Sequence, residues 1–243
     1  MWYKLARDDY AKYALFDNFD EVAKKIYTIL LDIDKINIGN FGQNIKARQK
    51  TIEFNNQNIS LFSNKLQLKI PVKLDVDIKG IPNTSKFGAW YSFDDRTIFI
   101  CVYLARKPTI GLIKNTLAHE IQHAVEHYYL KDSIYEPTSD ANKRDKWIQD
   151  VKNKNPTYLD EKIKYINDPT EVRARTAEVL QAYNLPQNKV KMQEKIIQKG
   201  NTFQTYKQLI QDILTKTYKD VINLMSQEAL NYIIKELYTA IWN

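Results

Sequence analysis

Cysteine, histidine and glycine are scarce in this chain, which has one, three and six of them in 243 residues. The single cysteine, Cys101, excludes an intrachain disulfide and fits a reducing compartment. No apolar run approaches the roughly 20 residues of a membrane span. The segment Met1–Asp9 carries acids where a signal peptide needs its apolar core. We therefore expect a cytoplasmic protein that is neither exported by a signal peptide nor inserted in a membrane.

Acidic residues are outnumbered by basic ones, which gives a net charge of +7 and a sequence pI of about 9.1. Such a charge favours approach to nucleic acid or to acidic proteins. The lysines are, however, spread among acids, and no run of five basic residues occurs. Nucleic-acid binding is therefore a reserve hypothesis, which predicts strongly salt-dependent binding to DNA or RNA. Nothing in the composition indicates an oligomeric state.

The N-terminal half mixes one helical pattern with several strand patterns. Apolar residues recur at helical spacing over 20–31, which predicts an amphipathic helix. We expect two short strands between Thr51 and Ser63, on either side of a turn-like Asn55–Asn58. Apolar residues alternate over 66–78, which predicts a long strand with Pro71 near an edge or bend.

The remaining pattern predicts a hairpin followed by helices. Strands at 89–93 and 96–102 flank Asp94 and Asp95, and a helix runs from Pro108 to about Leu130. We expect a long polar excursion over 131–166, with a short helix around Trp147. A second helix is predicted from Asp168 to Tyr183, and three further helical patterns follow Pro186.

All three histidines lie within nine residues, and the first five of these, His119 to His123, spell H-E-x-x-H. On a helix the two imidazoles stand one turn apart, about 6 Å along the axis. Imidazole nitrogens bind Zn²⁺ at roughly 2.0–2.1 Å, and the ion lowers the pKa of its water to about 7. The motif therefore predicts that His119 and His123 bind Zn²⁺ and that Glu120 is the general base.

The histidines face away from the main apolar stripe of their helix. At about 100° per residue, His123 lies about 40° from His119, His127 about 80°, and the apolar residues between roughly 120° and 240°. A core histidine would lie inside that stripe, so a solvated polar face and a chance occurrence of the motif are the remaining alternatives to a metal site. His127 lies about 12 Å along the axis from His119, too far to share one ion. We expect it to support the site, face the substrate or be solvated.

Catalytic zinc needs a third protein ligand and an open position. The pattern H-E-x-x-H-x-x-G-x-x-H is excluded, because Glu126 and Tyr129 stand where its glycine and third histidine would be. The ligand must therefore be a carboxylate or, less often, a tyrosine. Glu171, 48 residues after His123, is the first choice. The other candidates are, in order, Glu178, Asp168 and Asp140.

Glu171 also has a purely structural interpretation. With Asp168 as N-cap and Pro169 at the first helical position, Glu171 completes a capping box, which would compete with metal ligation for the same carboxylate. Arg175 stands at helical spacing from both Glu171 and Glu178. It either orients one of these acids or forms a surface ion pair.

The two motifs together resemble the gluzincin class of zincin metallopeptidases, whose H-E-x-x-H helix is followed by a helix supplying a glutamate. More narrowly, LAHEIQHAV at 117–125 and TEVRAR at 170–175 are similar to the zincin-like domains of phage and mobile-element polyvalent proteins. Those domains pair H-E-[IL]-Q-H-A with a later G-E-V-E-A-R block, from which Thr170 and Arg173 depart. The resemblance covers residues 85 to 182 and implies zinc ligation by His119, His123 and Glu171, with Glu120 as base.

The resemblance also implies an α+β, zincin-like fold, in which a small mixed or antiparallel sheet packs on the H-E-x-x-H helix. We expect an N-terminal helix and hairpin extension over 1–65, a catalytic core over 66–185 and C-terminal helices over 186–243. In this fold a strand edge above the active-site helix holds the substrate backbone, and Arg96–Val102 is expected to supply it.

The first functional hypothesis is a zinc-dependent metallopeptidase, an endopeptidase that acts on a protein or peptide substrate. The alternative is a catalytically silent structural or adaptor protein on a zincin scaffold, including a virion-associated one. If the protein is phage-encoded, its location is the host cytoplasm or the virion.

Overall fold

Four short strands form one mixed sheet in this protein, and helices precede and follow it, so the α+β class is confirmed. The computed structural model describes residues 12–36, 41–75, 88–101, 108–130, 160–185, 187–217 and 221–243. The described residues form two compact units, Lys12–Ala124 and Val125–Asn243. The domain limits expected from the sequence stay a prediction.

The first unit begins with a short 3-10 helix, Lys12–Leu15, and two α-helices, α1 (Phe19–Asp34) and α2 (Phe41–Asn55). The prediction of α1 is confirmed, and its apolar residues at helical spacing are buried. The strand predicted at the start of 51–63 is wrong, because that stretch belongs to α2. Ala47, Thr51 and Phe54 are buried at intervals of four and three residues, which is helical spacing.

The sheet contains β1 (Ser60–Ser63), β2 (Leu68–Asp75), β3 (Ala89–Ser92) and β4 (Thr97–Cys101), in the order β1-β2-β4-β3. The pairs β1–β2 and β3–β4 are antiparallel, whereas β2 and β4 run parallel. The long strand expected over 66–78 is thus observed over 68–75, and 76–78 lie outside the described residues.

Strand β2 changes partner at Pro71. Its first half pairs with β1, where Pro71 is opposite Ser60, and its pairing with β4 begins at the next residue, Val72. Proline has no N–H to donate to a strand on the second side, so it fits a point where the described pairing is with β1 alone. The expectation that Pro71 places this strand near an edge of the sheet is wrong, because β2 lies between β1 and β4.

The predicted hairpin is confirmed as β3 and β4, joined through residues 93–96, where Arg96 has a positive φ of 50°. The expectation that Arg96–Val102 supplies a sheet edge is wrong for the described part, Thr97–Cys101. This strand pairs with β3 on one side and β2 on the other, so its backbone groups are used on both sides. The strand at that end of the sheet is β3, and Val102 lies outside the described residues.

The predicted histidine helix is confirmed as α3, Ile110–Leu130. Thr109 starts it, since its Oγ1 accepts a hydrogen bond from the Leu112 N–H at 3.2 Å. Helix α3 contains residues of both units, since the first unit ends at Ala124 and the second begins at Val125.

The second unit continues with α4 (Asp160–Ile166), α5 (Pro169–Ala182), α6 (Lys189–Gln198), α7 (Phe203–Thr217), α8 (Val221–Leu224) and α9 (Gln227–Trp242). The predicted helix after Asp168 is confirmed, and the three later patterns correspond to α6, α7 and α9, whereas the short α8 forms where a separating region was expected. The prediction of a polar excursion over 131–166 is wrong at its C-terminal end, because Asp160–Ile166 forms α4. Its other residues, including the expected helix around Trp147, lie outside the described residues.

Helix α5 is central to the second unit, in contact with α4, α7 and α9. The turn before it is fixed by Asn167, which is fully buried. The Asn167 side-chain amide donates to the carbonyls of Ile163 and Leu224 at 2.9 and 2.8 Å, and its Oδ1 accepts from the Ser226 N–H at 2.7 Å. One side chain thereby joins the start of α5 to the ends of α4 and α8 and the start of α9.

Within the described part of the chain, no helix is both long and apolar enough to span a bilayer.

The C-cap of α5 gives a stability prediction. Tyr183 donates its hydroxyl to the Leu209 carbonyl at 2.8 Å, and burial, reinforced by nearby Asp212, raises the pKa of Tyr183 above its usual 10.0. Tyr183→Phe should cost about 1 kcal/mol at neutral pH, because it leaves a partly buried carbonyl without this donor. Urea unfolding of both proteins measures this difference.

The raised pKa also fixes the sign of the pH dependence. Below pH 10 both states keep the Tyr183 proton, whereas above it the unfolded chain loses that proton first, so the folded state loses stability as pH rises through the folded pKa. Tyr183→Phe should therefore remove part of the alkaline loss. Equal alkaline slopes in the wild type and Tyr183→Phe would contradict this account.

Candidate metal centre

His119 and His123 present their rings to each other on one face of α3. Their ring centroids are 5.0 Å apart, and the two Nε2 atoms are 3.3 Å apart. Two nitrogens that each lie roughly 2.0–2.1 Å from one tetrahedral ion are about 3.3–3.4 Å apart. The same distance also allows a weak N–H···N hydrogen bond between the rings, so a third ligand is needed to distinguish a metal site.

Glu171 of α5 is that third group. One ligand atom from each of His119, His123 and Glu171 lies within 4.8 Å of the other two. Among the described residues this is the one such cluster of three histidine, cysteine or acidic side chains. His119 is 7% exposed and Glu171 9%, while His123 is half-buried. The arrangement gives a small, mostly water-shielded pair of imidazoles with one carboxylate.

The N-terminus of α5 is capped without the Glu171 carboxylate. Asp168 Oδ1 accepts hydrogen bonds from Thr170 N at 2.8 Å and Thr170 Oγ1 at 2.6 Å. In a capping box, Glu171 would accept from the Asp168 N–H, but that N–H already donates to the Tyr165 carbonyl at 3.3 Å. The cap therefore does not require the Glu171 carboxylate, and the expected competition between capping and metal ligation for this group does not arise. The first helical turn also favours a carboxylate through the helix dipole.

Arg175 lies beside Glu171 rather than on the surface. Its Nη2 is 3.5 Å from Glu171 Oε2, its side chain is fully buried, and its guanidinium lies 5.6 Å from the centroid of the Tyr165 ring. A positive charge one turn after the acid attracts the carboxylate electrostatically. The structure thus brings Arg175 to the expected partner and excludes the surface ion pair.

The other expected site residues lie outside the cluster. Glu178 is buried two turns after Glu171 on α5 but is not a member of the group. Asp168 is occupied as the N-cap, and Asp140 lies outside the described residues. His127 is half-buried and is not part of the group, as its distance along α3 predicts.

The face of α3 that carries the motif is more buried than a solvated polar face would be. Residues 117–126 are buried throughout, except for half-buried His123, and they include the polar Glu120 and Gln122. Lys12, itself 1% exposed, donates to Gln122 Oε1 at 3.3 Å. The alternative of a solvated histidine face is therefore wrong. A helical wheel finds only the larger apolar stripe, whereas this helix is covered on several sides.

Sequence reasoning missed an ion pair next to the cluster. Arg173 of α5 donates from Nε and a terminal nitrogen to the two carboxylate oxygens of Glu126, at 2.7 and 2.9 Å. Both side chains are buried, with 8% and 6% exposed. The sequence contains one indication that Glu126 belongs near the cluster. Glu126 lies about 20° from His119 on the helical wheel and is therefore on the same face of α3 as the motif. Its partner, 47 residues later, could not be read from spacing alone.

No protein-family model, curated protein or solved structure significantly matches this chain.

The third ligand gives the most specific prediction for metal binding. Glu171→Gln keeps the size of the side chain but removes the anionic donor, so zinc affinity should fall by at least about 100-fold, beyond the 10- to 100-fold typical of supporting residues. Zinc affinity is measured by competition with a chromogenic chelator. Glu178→Gln, the same change two turns later, is the matched control and should have a much smaller effect. Equal affinities for Glu171→Gln and wild type would exclude Glu171 as a ligand.

Proposed function

We propose that this protein is a zinc-dependent metallopeptidase of zincin type, an endopeptidase in which His119, His123 and Glu171 hold Zn²⁺ and Glu120 is the general base. One observation carries the proposal: both histidines of an H-E-x-x-H helix and a glutamate of a second helix have ligand atoms within 4.8 Å of one another. This is the combination of groups expected for a gluzincin centre.

The donor set favours a catalytic ion over a structural one. Structural zinc sites are usually closed by four cysteine or histidine ligands, whereas catalytic sites have three protein ligands and an open fourth position. Two imidazoles and one carboxylate fit the second pattern. The sole cysteine, Cys101, is buried in β4 and is not a member of the cluster.

Bound zinc would supply a Lewis acid that polarises the scissile carbonyl and lowers the pKa of water to about 7. Glu120 follows His119 directly and is 5% exposed, so its carboxylate is shielded from bulk water. It takes the proton from the attacking water and delivers it to the leaving amine. Proton transfer by a positioned side chain contributes about 10²- to 10⁴-fold to rate. Arg175, with Nη2 3.5 Å from Glu171 Oε2, places a positive charge beside this carboxylate.

We propose β3 as the strand that receives an extended peptide, in place of the segment expected from the sequence. β3 is the end strand of the sheet and pairs with β4 alone among the described strands. An extended chain can add to such a strand through backbone hydrogen bonds while alternate side chains give specificity. Trp90 of β3 is partly exposed and stacks on Phe99, which offers an aromatic surface to a substrate side chain.

Glu120→Gln tests the chemistry separately from metal binding. The amide cannot accept a proton, so cleavage of a fluorescence-quenched peptide library should fall by about 10²- to 10⁴-fold, while bound zinc remains stoichiometric. Glu53→Gln, at an exposed glutamate of α2, is the control and should cleave like the wild type.

Two outcomes would contradict the peptidase proposal. Undiminished cleavage by Glu120→Gln would remove Glu120 from the mechanism. A wild-type protein that binds zinc but cleaves no member of the library would favour the structural or adaptor role instead.

A further inference from the structure

We infer that the buried ion pair between Glu126 and Arg173 is a positioning device for the metal site, an inference that rests on the proposed metal binding. Neither residue is one of the three clustered ligands. Their contact joins the helix that carries both histidines to the helix that carries Glu171. Its role is to set the register of these two helices.

The geometry of the pair is suited to fixing a register. Arg173 donates two roughly parallel hydrogen bonds to Glu126, through Nε at 2.7 Å and a terminal nitrogen at 2.9 Å. A planar guanidinium that binds both oxygens of a carboxylate restrains the direction of approach as well as the distance. With 8% and 6% of these side chains exposed, water competes little for the same bonds.

The pair lies close to the ligands on both helices. Glu126 follows His123 by three residues, about 4.5 Å along α3, and is on the histidine face. Arg173 follows Glu171 by two residues, about 3 Å along α5. Helices move as rigid bodies over such short distances, so a slip at the ion pair would carry Glu171 away from the histidines by a similar amount.

A contribution to folding stability does not by itself account for a buried ion pair at this position. Replacing a buried ion pair with apolar residues of similar volume is often neutral or stabilising, whereas removing one partner leaves a buried charge and is strongly destabilising. Apolar side chains, however, allow neighbouring registers that a two-bond ion pair does not. A positioning role therefore predicts that replacing both partners together lowers the zinc affinity without lowering the stability of the metal-free protein.

The test is the double variant Glu126→Leu/Arg173→Met. Its metal-free form should unfold at a temperature equal to or above that of the wild type, while its zinc affinity should fall by at least about ten-fold. The visible spectrum of the Co²⁺-loaded protein should also change, because it reports the coordination geometry. The control is Asp20→Leu/Lys114→Met, which removes a more exposed ion pair between α1 and α3 and should leave zinc affinity unchanged.

A second variant keeps the test decisive if the double variant fails to fold. Arg173→Lys retains the positive charge but not the planar fork, so it should fold and still lose zinc affinity by about three- to ten-fold, with an altered Co²⁺ spectrum. Wild-type zinc affinity and an unchanged Co²⁺ spectrum in whichever of the two variants folds would overturn the positioning role. Absence of zinc binding by the wild type would instead refute the proposed function itself.

Discussion

A metal site built from two helices requires that both helices keep one register, since ligand distances tolerate only about 0.2 Å of error. For the metal site proposed in this protein, the requirement falls on α3 and α5. The first carries His119 and His123 one turn apart, and the second carries Glu171 in its first turn. The four-residue spacing on one helix sets the distance between the imidazoles. The distance to the carboxylate depends on how α5 is held.

Helix α5 is held mainly by buried surface, yet it contains charged residues where apolar ones would pack. All its residues from Glu171 to Gln181 are buried, including Arg173, Arg175 and Glu178. Burying a charge costs several kcal/mol unless it is paired, so a helix chosen for stability alone would not carry so many. The pairs Glu171–Arg175 and Arg173–Glu126 offset much of that cost. We therefore attribute these buried charges to the proposed function of the cluster, because functional sites often contain residues that are unfavourable for folding.

Local patterns in the sequence predicted the elements that carry the site. The periodicity of α3, the Asp168–Pro169 start of α5 and the hairpin of β3 and β4 each depend on neighbouring residues, and each was confirmed. The absence of a fourth histidine predicts a carboxylate or a tyrosine as the third ligand, and the helix start at Asp168 and Pro169 makes Glu171 the first choice. The structure brings a Glu171 carboxylate oxygen within 4.8 Å of a ring nitrogen of each histidine.

Long-range contacts account for most of what the sequence did not reveal. The interior position of β4 depends on β2, whose Val72 pairs with Ile98 after a separation of 26 residues. Helix α2 ends at Asn55, whose side chain bonds both the N–H and the carbonyl of Leu74, so an Asn-rich segment that reads as a turn between strands is instead a helix end. In each case the deciding partner lies outside the window that a periodicity can cover.

The central claim is that one ion binds between two imidazoles and a carboxylate from a second helix. Anomalous scattering at the zinc absorption edge, from crystals of the zinc-loaded protein, tests it most directly. The account predicts one strong peak within about 2.0–2.2 Å of Nε2 of His119, Nε2 of His123 and a carboxylate oxygen of Glu171. A peak bound by other residues, or none at this position in a zinc-soaked crystal, would contradict it.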